Sequence, residues 1–377
     1  MKRARRLLVL PLTIAIALAV VACAPATGAA PAHSDAHSSH PSPTPTPTPR
    51  AAPVVRVGVK CADLFSESDA SSLVGEAVKL RLDESSSPVG ITDIAARQRG
   101  ILACTWGGTD QKDGFYNESL TVTVVPDASA EFATDFPKTD TATDPTATNT
   151  AGSQSAYGCY TGIDPLLCVA DMLAGSDWVT VQLQNQRGTV LSRAAESQKV
   201  QQVLTSVATS LSRATALAPW VPPPGPALGF CTSPTNLDQV RSAVKSSDFI
   251  SAPPELGAAD ARTLAQFEDT FAQCEWGLPT FTSGGPGQLA YLLVSMLRGG
   301  AWALPAMTQS PPTDWQFGQY APISIPGTTS AILACNPTDC AAIVAIGSTA
   351  VEIEVGNAGT AQVTAALTAM VGSIASS

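Results

Sequence analysis

The 377-residue chain predicts an α+β fold made twice, each copy a disulfide-bonded antiparallel sheet with flanking helices. Three observations predict it. Two sets of four cysteines, Cys61, Cys104, Cys159, Cys168 and Cys231, Cys274, Cys335, Cys340, both open with a spacing of 43 residues. Each second cysteine begins the same motif, Cys104-Thr105-Trp106-Gly107 in one copy and Cys274-Glu275-Trp276-Gly277 in the other. Strand-period segments then run in consecutive groups with a helix-period segment closing each copy, the order of α+β packing and not of βαβ alternation. Past the fourth cysteine the copies still align without a gap. Val179-x-Val181-x-Leu183 meets Val351-x-Ile353-x-Val355.

Taken in order, residues 1–22 read as an export signal. Lys2, Arg3, Arg5 and Arg6 form a basic start, and residues 7–22 are an apolar run of 16, short of the ~20 a spanning helix needs. Residues 23–57 are a tether rich in Ala, Pro, Ser and Thr, with proline at every second position from Pro41 to Pro49. Such a run favours an extended polyproline rod with an upper reach of about 100 Å. Its three histidines, His33, His37 and His40, are the only ones in the chain. Short His-rich tracts bind metal in some proteins, but solvated tether residues are the simpler reading.

The first module spans 58–217. Residues 62–74 suit a short helix, and 101–106, 120–125, 167–173 and 178–183 suit strands. The last pair turns on Gly175-Ser176-Asp177 as a hairpin. Residues 127–136 suit a further helix, and Val200, Val203, Leu204, Val207 and Leu211 recur at helical spacing. Residues 140–152 form a polar Thr/Ala loop. A proline-rich linker, 218–229, leads to the second module at 230–377. That module closes on Val363, Ala366, Leu367, Met370 and Ile374, again at helical spacing.

Charge and cysteine usage bound the chemistry. Charged residues make up only 14% of the chain, and the net charge is −10, or −14 once the four basic signal residues are removed. No basic patch offsets this, so a nucleic-acid partner is excluded. Without a histidine in either module, a Ser-His-Asp or Cys-His pair cannot form. No nucleophile elbow, phosphate loop or His-Glu-x-x-His occurs. Paired carboxylates need no histidine, and Asp63, Glu67, Asp69, Asp110, Asp113, Glu268 and Glu275 are candidates by residue type alone.

The cysteines do not form the paired knuckles of a zinc site. In an exported chain they read as disulfides. Four allow three connectivities; the short third-to-fourth separation favours first with second and third with fourth. Trp106 and Trp276 read as core residues covering them. No metal or cofactor is expected in the modules.

Val20-Val21-Ala22-Cys23 resembles the lipobox of bacterial lipoproteins: aliphatic at −3, small at −1, cysteine at +1. The resemblance implies that Cys23 carries a diacylglycerol thioether and becomes the mature N-terminus. The signal, tether and Cys…Cys-x-Trp-Gly modules together resemble an uncharacterised group of actinobacterial lipoproteins. More distantly they are similar to the extracellular sensor domain of certain actinobacterial Ser/Thr kinases. Neither group supplies catalytic residues to carry over.

The expectation is a protein anchored to the cell membrane on its extracytoplasmic face, acting as a non-enzymatic binding or sensor module. Its partner would be an envelope protein or a small-molecule or wall ligand. A structural subunit of an envelope complex is the alternative, and a carboxylate-dependent wall enzyme the third reading. Trp302, Trp315, Phe317 and Tyr320 cluster where the copies diverge. They mark the expected contact surface, since aromatics are enriched at recognition surfaces. The first module then serves as a spacer, and the second is expected to fold alone.

Overall fold

A computed structural model describes residues 52–109, 118–135, 151–160, 166–185, 193–224, 250–252, 270–277, 291–314, 316–357 and 359–374, with isolated shorter pieces between them. The signal, Cys23, the tether histidines, Cys231, Trp315, 136–150 and 225–229 lie outside the described residues. Residues 51–377 form one compact unit.

The first copy begins with two short helices, α1 (Cys61–Leu64) and α2 (Glu67–Val74), and strand β1 (Lys79–Leu82). Helix α3 (Ile91–Arg99) leads to β2 (Leu102–Gly107), the short hairpin β3 (Gln111–Lys112) and β4 (Phe115–Tyr116), and β5 (Glu118–Val125). Helix α4 (Ser129–Asp135) is followed by β6 (Gln154–Tyr160), β7 (Leu166–Ala174), β8 (Asp177–Asn185) and the closing helix α5 (Arg193–Leu211).

In the second copy β9 (Ile250–Ala252), β10 (Phe271–Gly277) and β11 (Tyr291–Leu297) precede a 3₁₀ turn (Gly300–Ala303) and α6 (Leu304–Gln309). Small strands β12 (Thr313–Asp314), β13 (Gly318–Gln319) and β14 (Ala321–Pro322) follow. β15 (Ser330–Cys335), β16 (Asp339–Ile346), β17 (Thr349–Gly356) and α7 (Thr360–Ile374) complete it.

The two sheets have one topology. The first runs β1-β2-β5-β8-β7-β6 and the second β9-β10-β11-β17-β16-β15, with β14 added at its edge. All strand pairs are antiparallel, and the register agrees as well. Cys104 stands opposite Val122 and Cys274 opposite Val294; Val122 faces Val181 and Val294 faces Ile353. The fold class is therefore α+β with two similar sheet modules.

In each copy one sheet face is alternately apolar and lies under the closing helix. Val200, Val203, Leu204 and Val207 of α5 are fully buried against Cys104, Trp106, Val122 and Val181. Val363, Leu367, Met370 and Ile374 of α7 do the same over Trp276, Val294 and Ile353. Each such side chain contributes about 1.5–3 kcal/mol through burial. Trp106 and Trp276 are core residues, Trp106 meeting Phe65 edge to face at 5.7 Å.

Cys61 is bonded to Cys104, tying α1 to the centre of β2 across 43 residues, which on a chain-entropy model contributes about 4 kcal/mol. Cys335 is bonded to Cys340 across the β15–β16 pair. Cys168 and Cys274 are also disulfide-bonded, and Cys159 stands opposite Cys168 in the β6–β7 register.

The second module shares part of its core with the first, which weighs against the expectation that it folds alone. Helix α3 belongs to the first copy, yet Ile91, Ile94 and Ala95 are buried in one cluster with Phe271, Leu297, Leu304, Met307 and Ile343 of the second. Its opposite side, at Ala96, packs on a first-module cluster of Ile101, Val125, Phe132 and Trp178. The N-terminus of α3 is covered from across the boundary. Gly90 at the cap position offers no side chain, and the Glu352 Oε1 of β17 accepts from the Ile91 N–H at 3.4 Å. A Cβ on Gly90 would sit 3.1 Å from that oxygen, so glycine admits the carboxylate. Asp and Glu are favoured at helix N-termini by the helix dipole and its free N–H groups; here Asp93 of the first turn, which accepts from the Val89 N–H, is joined by an anion from the other copy.

The linker is docked as well. The Leu217 N–H donates to Arg56 O at 2.8 Å, and Ser348 Oγ donates to Pro224 O at 2.8 Å. Between these ties, Trp220 and Pro222 lie against Gly299. Proline deprives this segment of apolar side chains, but its backbone and Trp220 still bind it to both copies.

Because α3 completes the second core, Ile94→Ala should destabilise the second module although the residue lies in the first. The expected loss is about 2–5 kcal/mol, read by urea denaturation with hydrogen exchange on β10 and β11. Unchanged exchange protection in those strands would contradict the shared core.

Candidate functional site

Two copies of one fold need the same core, so the faces on which they differ are the informative ones. In the second copy the face away from α7 is covered, and its β15–β16 part is apolar. Ile332, Ala334, Ala341 and Ile343 are buried beneath α6, Phe317, Tyr320 and α3. Phe317 and Tyr320 are 5% and 2% exposed, and Trp302 packs half-buried on the same cluster. The expected aromatic contact surface is therefore corrected: these side chains fill the layer between helix and sheet. Apolar material at a face without a closing helix needs its own cover, and the aromatics provide it.

On the same face of the first copy stand Ala103, Thr105, Thr121, Thr123, Thr180 and Gln182, which the shared register matches to Gln273, Glu275, Leu293, Ser295, Glu352 and Glu354 of the second. Gln273, Ser295 and Glu352 are buried there. The four threonines are half-buried and Gln182 is exposed. Thr105 and Thr121 stand opposite each other, with hydroxyls 3.3 Å apart. Alternation along β2, β5 and β8 explains the pattern: apolar residues face α5 and β-branched polar ones face away.

Asp171, 3% exposed, anchors this face. Its Oδ1 accepts from Trp178 Nε1 at 2.8 Å and from Thr180 Oγ1 at 3.0 Å. The equivalent cross-strand pair in the second copy is Ile343 and Glu352. Both sheets thus bury a carboxylate at one place, supplied from neighbouring strands.

A cleft of about 80 Å³ adjoins the face where α3 leaves it. Leu82, Pro88, Val89, Ile101 and Ala103 form its apolar wall, with Arg97 at one side. Arg97 donates to the carbonyl oxygens of Glu84 and, at 3.0 Å, Ser86. Burial lowers its pKa, against the opposing pull of Asp83, Glu84 and Asp93. Drug-sized ligands occupy roughly 300–1,000 Å³, so the cleft suits a single side chain or a few waters. The site is a shallow polar face with a notch, suited to an extended partner.

Of the carboxylates singled out by type, Asp63, Glu67 and Asp69 bond to nearby backbone or helix-cap groups. The Lys60 N–H donates to Asp63 Oδ2, Asp69 exchanges hydrogen bonds with Ser66 at the start of α2, and Glu67 Oε1 accepts from the Leu80 N–H. Glu275 is half-buried on β10. Asp110, Asp113 and Glu268 lie outside the described residues. Among the described residues no three His, Cys, Asp or Glu side chains are grouped to hold a metal ion.

Sequence reasoning missed Arg56, Asp171 and Glu352. Asp171 and Glu352 interrupt apolar strand segments of the repeat, and a buried carboxylate in a strand was the available signal. Arg56 had none.

No family model, curated protein or solved structure matches this chain.

Arg97 is what holds the rim of the cleft. Arg97→Ala should cost about 1.5–3 kcal/mol through its charged hydrogen bonds and raise hydrogen exchange across 84–89. A variant with unchanged exchange there would show that the rim stands without it.

Proposed function

We propose that the chain is a lipid-anchored, extracytoplasmic binding or sensor module of the cell envelope, without enzymatic activity, whose partner docks on the first module's threonine-rich face. One observation carries the reading. Matching sheet frameworks present, away from the closing helix, a face that is covered in one copy, with Gln273, Ser295 and Glu352 buried, and a threonine-bearing face that is partly exposed in the other. A duplicated framework needs no such difference for stability, and a difference confined to one face suits recognition.

The address rests on Ala22-Cys23 at the end of the apolar run and on the proline tether behind it. The bonded cysteines agree with an oxidising compartment. Two acyl chains at ~0.8 kcal/mol per buried CH₂ give a stable anchor where one gives a marginal one. The tether would then set the fold away from the bilayer. The shallowness of the face favours a protein or polymer partner over a small molecule. The same flatness supports the second reading, an accessory subunit of an envelope complex.

Two experiments test the proposal. Metabolic labelling with a fatty-acid analogue should mark the wild-type protein and not Cys23→Ser; label on both would end the lipid-anchor reading. A photo-crosslinking residue at Gln182 should give a discrete adduct in intact cells, whereas one at exposed Thr205 on α5 should not. Equal adducts at both positions, or none at Gln182, would refute the face as the docking surface.

A further inference from the structure

The described disulfides differ in kind. Cys61 and Cys104 are both fully buried. Their bond joins elements 43 residues apart, and reducing it would release α1 from the sheet. Cys335 is exposed while Cys340 is buried, and only five residues of sequence separate them.

That short loop is held without the bond. Asn336 Oδ1 accepts from the Thr338 and Asp339 N–H groups, each at 2.7 Å, and the Asn336 N–H donates to Asp339 O at 2.9 Å. Asp339 Oδ1 accepts from the Asn357 N–H at 3.3 Å, pinning the loop to the end of β17. Five further residue pairs, Ser330–Ala345 through Ala334–Ala341, continue the β15–β16 ladder below it. Loop closure over so few residues restricts the unfolded chain far less than closure over 43. The bond therefore does little for the fold and stands where solvent reaches it.

Its exposed sulfur also has a polar neighbour. Cys335 Sγ lies 3.7 Å from Thr360 Oγ1, on the first residue of α7. Gly359 precedes that residue, so the cap position brings no side chain between the sulfur and the helix start. A thiolate formed on Cys335 would meet a hydroxyl and the favourable end of a helix dipole. The carboxylate of Asp339 is the nearby opposing charge, already engaged by Asn357 and Thr338.

We propose that Cys335–Cys340 is a thiol-exchange site, a reversible cystine that takes small-molecule or protein thiols at Cys335 while the rest of the fold stays intact. An external thiolate attacks Cys335 Sγ, forming a mixed disulfide; the Cys335–Cys340 bond breaks, and Cys340 leaves as a thiolate that takes a proton from water. A second external thiolate attacks the outer sulfur of the adduct. The two external sulfurs leave joined as a disulfide, and Cys335 is released as a thiolate beside Thr360. The cystine has been reduced by two electrons and two external thiols oxidised. Attack at Cys335 follows from access, since the Cys340 side is closed by the sheet.

The test uses the oxidised full-length mature protein in a series of reduced glutathione concentrations, with acid quench, alkylation and peptide mapping. Any thiol at Cys23 maps to its own peptide. The expected result is glutathione on Cys335 and alkylated Cys340 at concentrations at least ~10-fold below those that open Cys61–Cys104, with circular dichroism unchanged. Opening of both bonds together, or loss of the folded spectrum as Cys335–Cys340 opens, would overturn the proposal. Single variants fix the direction of attack. Given oxidised glutathione, Cys340→Ser should form a stable glutathione adduct on Cys335 with release of one reduced glutathione, and Cys335→Ser should form none on Cys340. An adduct on Cys340 in the second variant, or none on Cys335 in the first, would overturn it equally.

Discussion

Helix α3 turns its few apolar residues toward both copies, and the join between the copies is arranged around it. Ala96 turns toward the first module, while Ile91, Ile94 and Ala95 fill the second. A nine-residue helix is too short to persist in water alone; packing on both sides and caps at both ends hold it. Glu352 supplies the first cap from the other copy. At the second, Gly100 adopts a left-handed φ of 80° and returns its N–H to Ala96 and Arg97. A side chain there would be doubly excluded, because a Cβ would lie 2.3 Å from Arg56 Cγ. The copies are coupled because neither completes its core without this element.

Duplication explains how such coupling arose without a new fold. Strand order, register and closing helix are shared, so the face beneath α5 or α7 is fixed by the same alternation in both copies. The opposite faces were free to change. One is covered by α6, Phe317, Tyr320 and α3 and buries Gln273, Ser295 and Glu352; the other carries threonine and glutamine, which tolerate water. The buried carboxylates Asp171 and Glu352 record the same divergence. One is satisfied within its own sheet by Trp178 and Thr180, and the other reaches into a neighbour. Burying an anion is costly unless it is hydrogen-bonded, and each copy met that requirement with what its own face provided.

Period and punctuation made the core faces legible. The Cys-x-Trp-Gly repeats, the alternation in 178–183 and the helical spacing from Val200 to Leu211 all place residues that the structure buries. Strand β1 and helix α3 were not legible. Residues 79–82 alternate as Lys-Leu-Arg-Leu but over only four positions, and the apolar positions of α3 are few because only a narrow stripe meets each partner. The aromatics at Trp302, Phe317 and Tyr320 misled for a physical reason: an aromatic that covers a sheet and one that meets a partner look alike until burial is known. Arg56 could not have been found from its neighbours in sequence, since its partners are Asp127, Gly100 and Leu217.

Arg56 also sets how the fold meets a mechanical load. The Arg56 N–H donates to Gly100 O, its carbonyl receives the Leu217 N–H, and its guanidinium reaches Asp127 and Leu217 O. The beginning and the end of the first copy are therefore clasped at one residue, 5% exposed. A pull along the chain from residue 52 would pass buried Pro53 and half-buried Val55 and meet Arg56, whose bonds run to the α3–β2 turn, the β5–α4 turn and the linker. It is not delivered to the open edge of a strand, where the ladder would unzip pair by pair. In this fold Arg56 is a clasp, the knot at which the entering and leaving ends of the first copy are tied together.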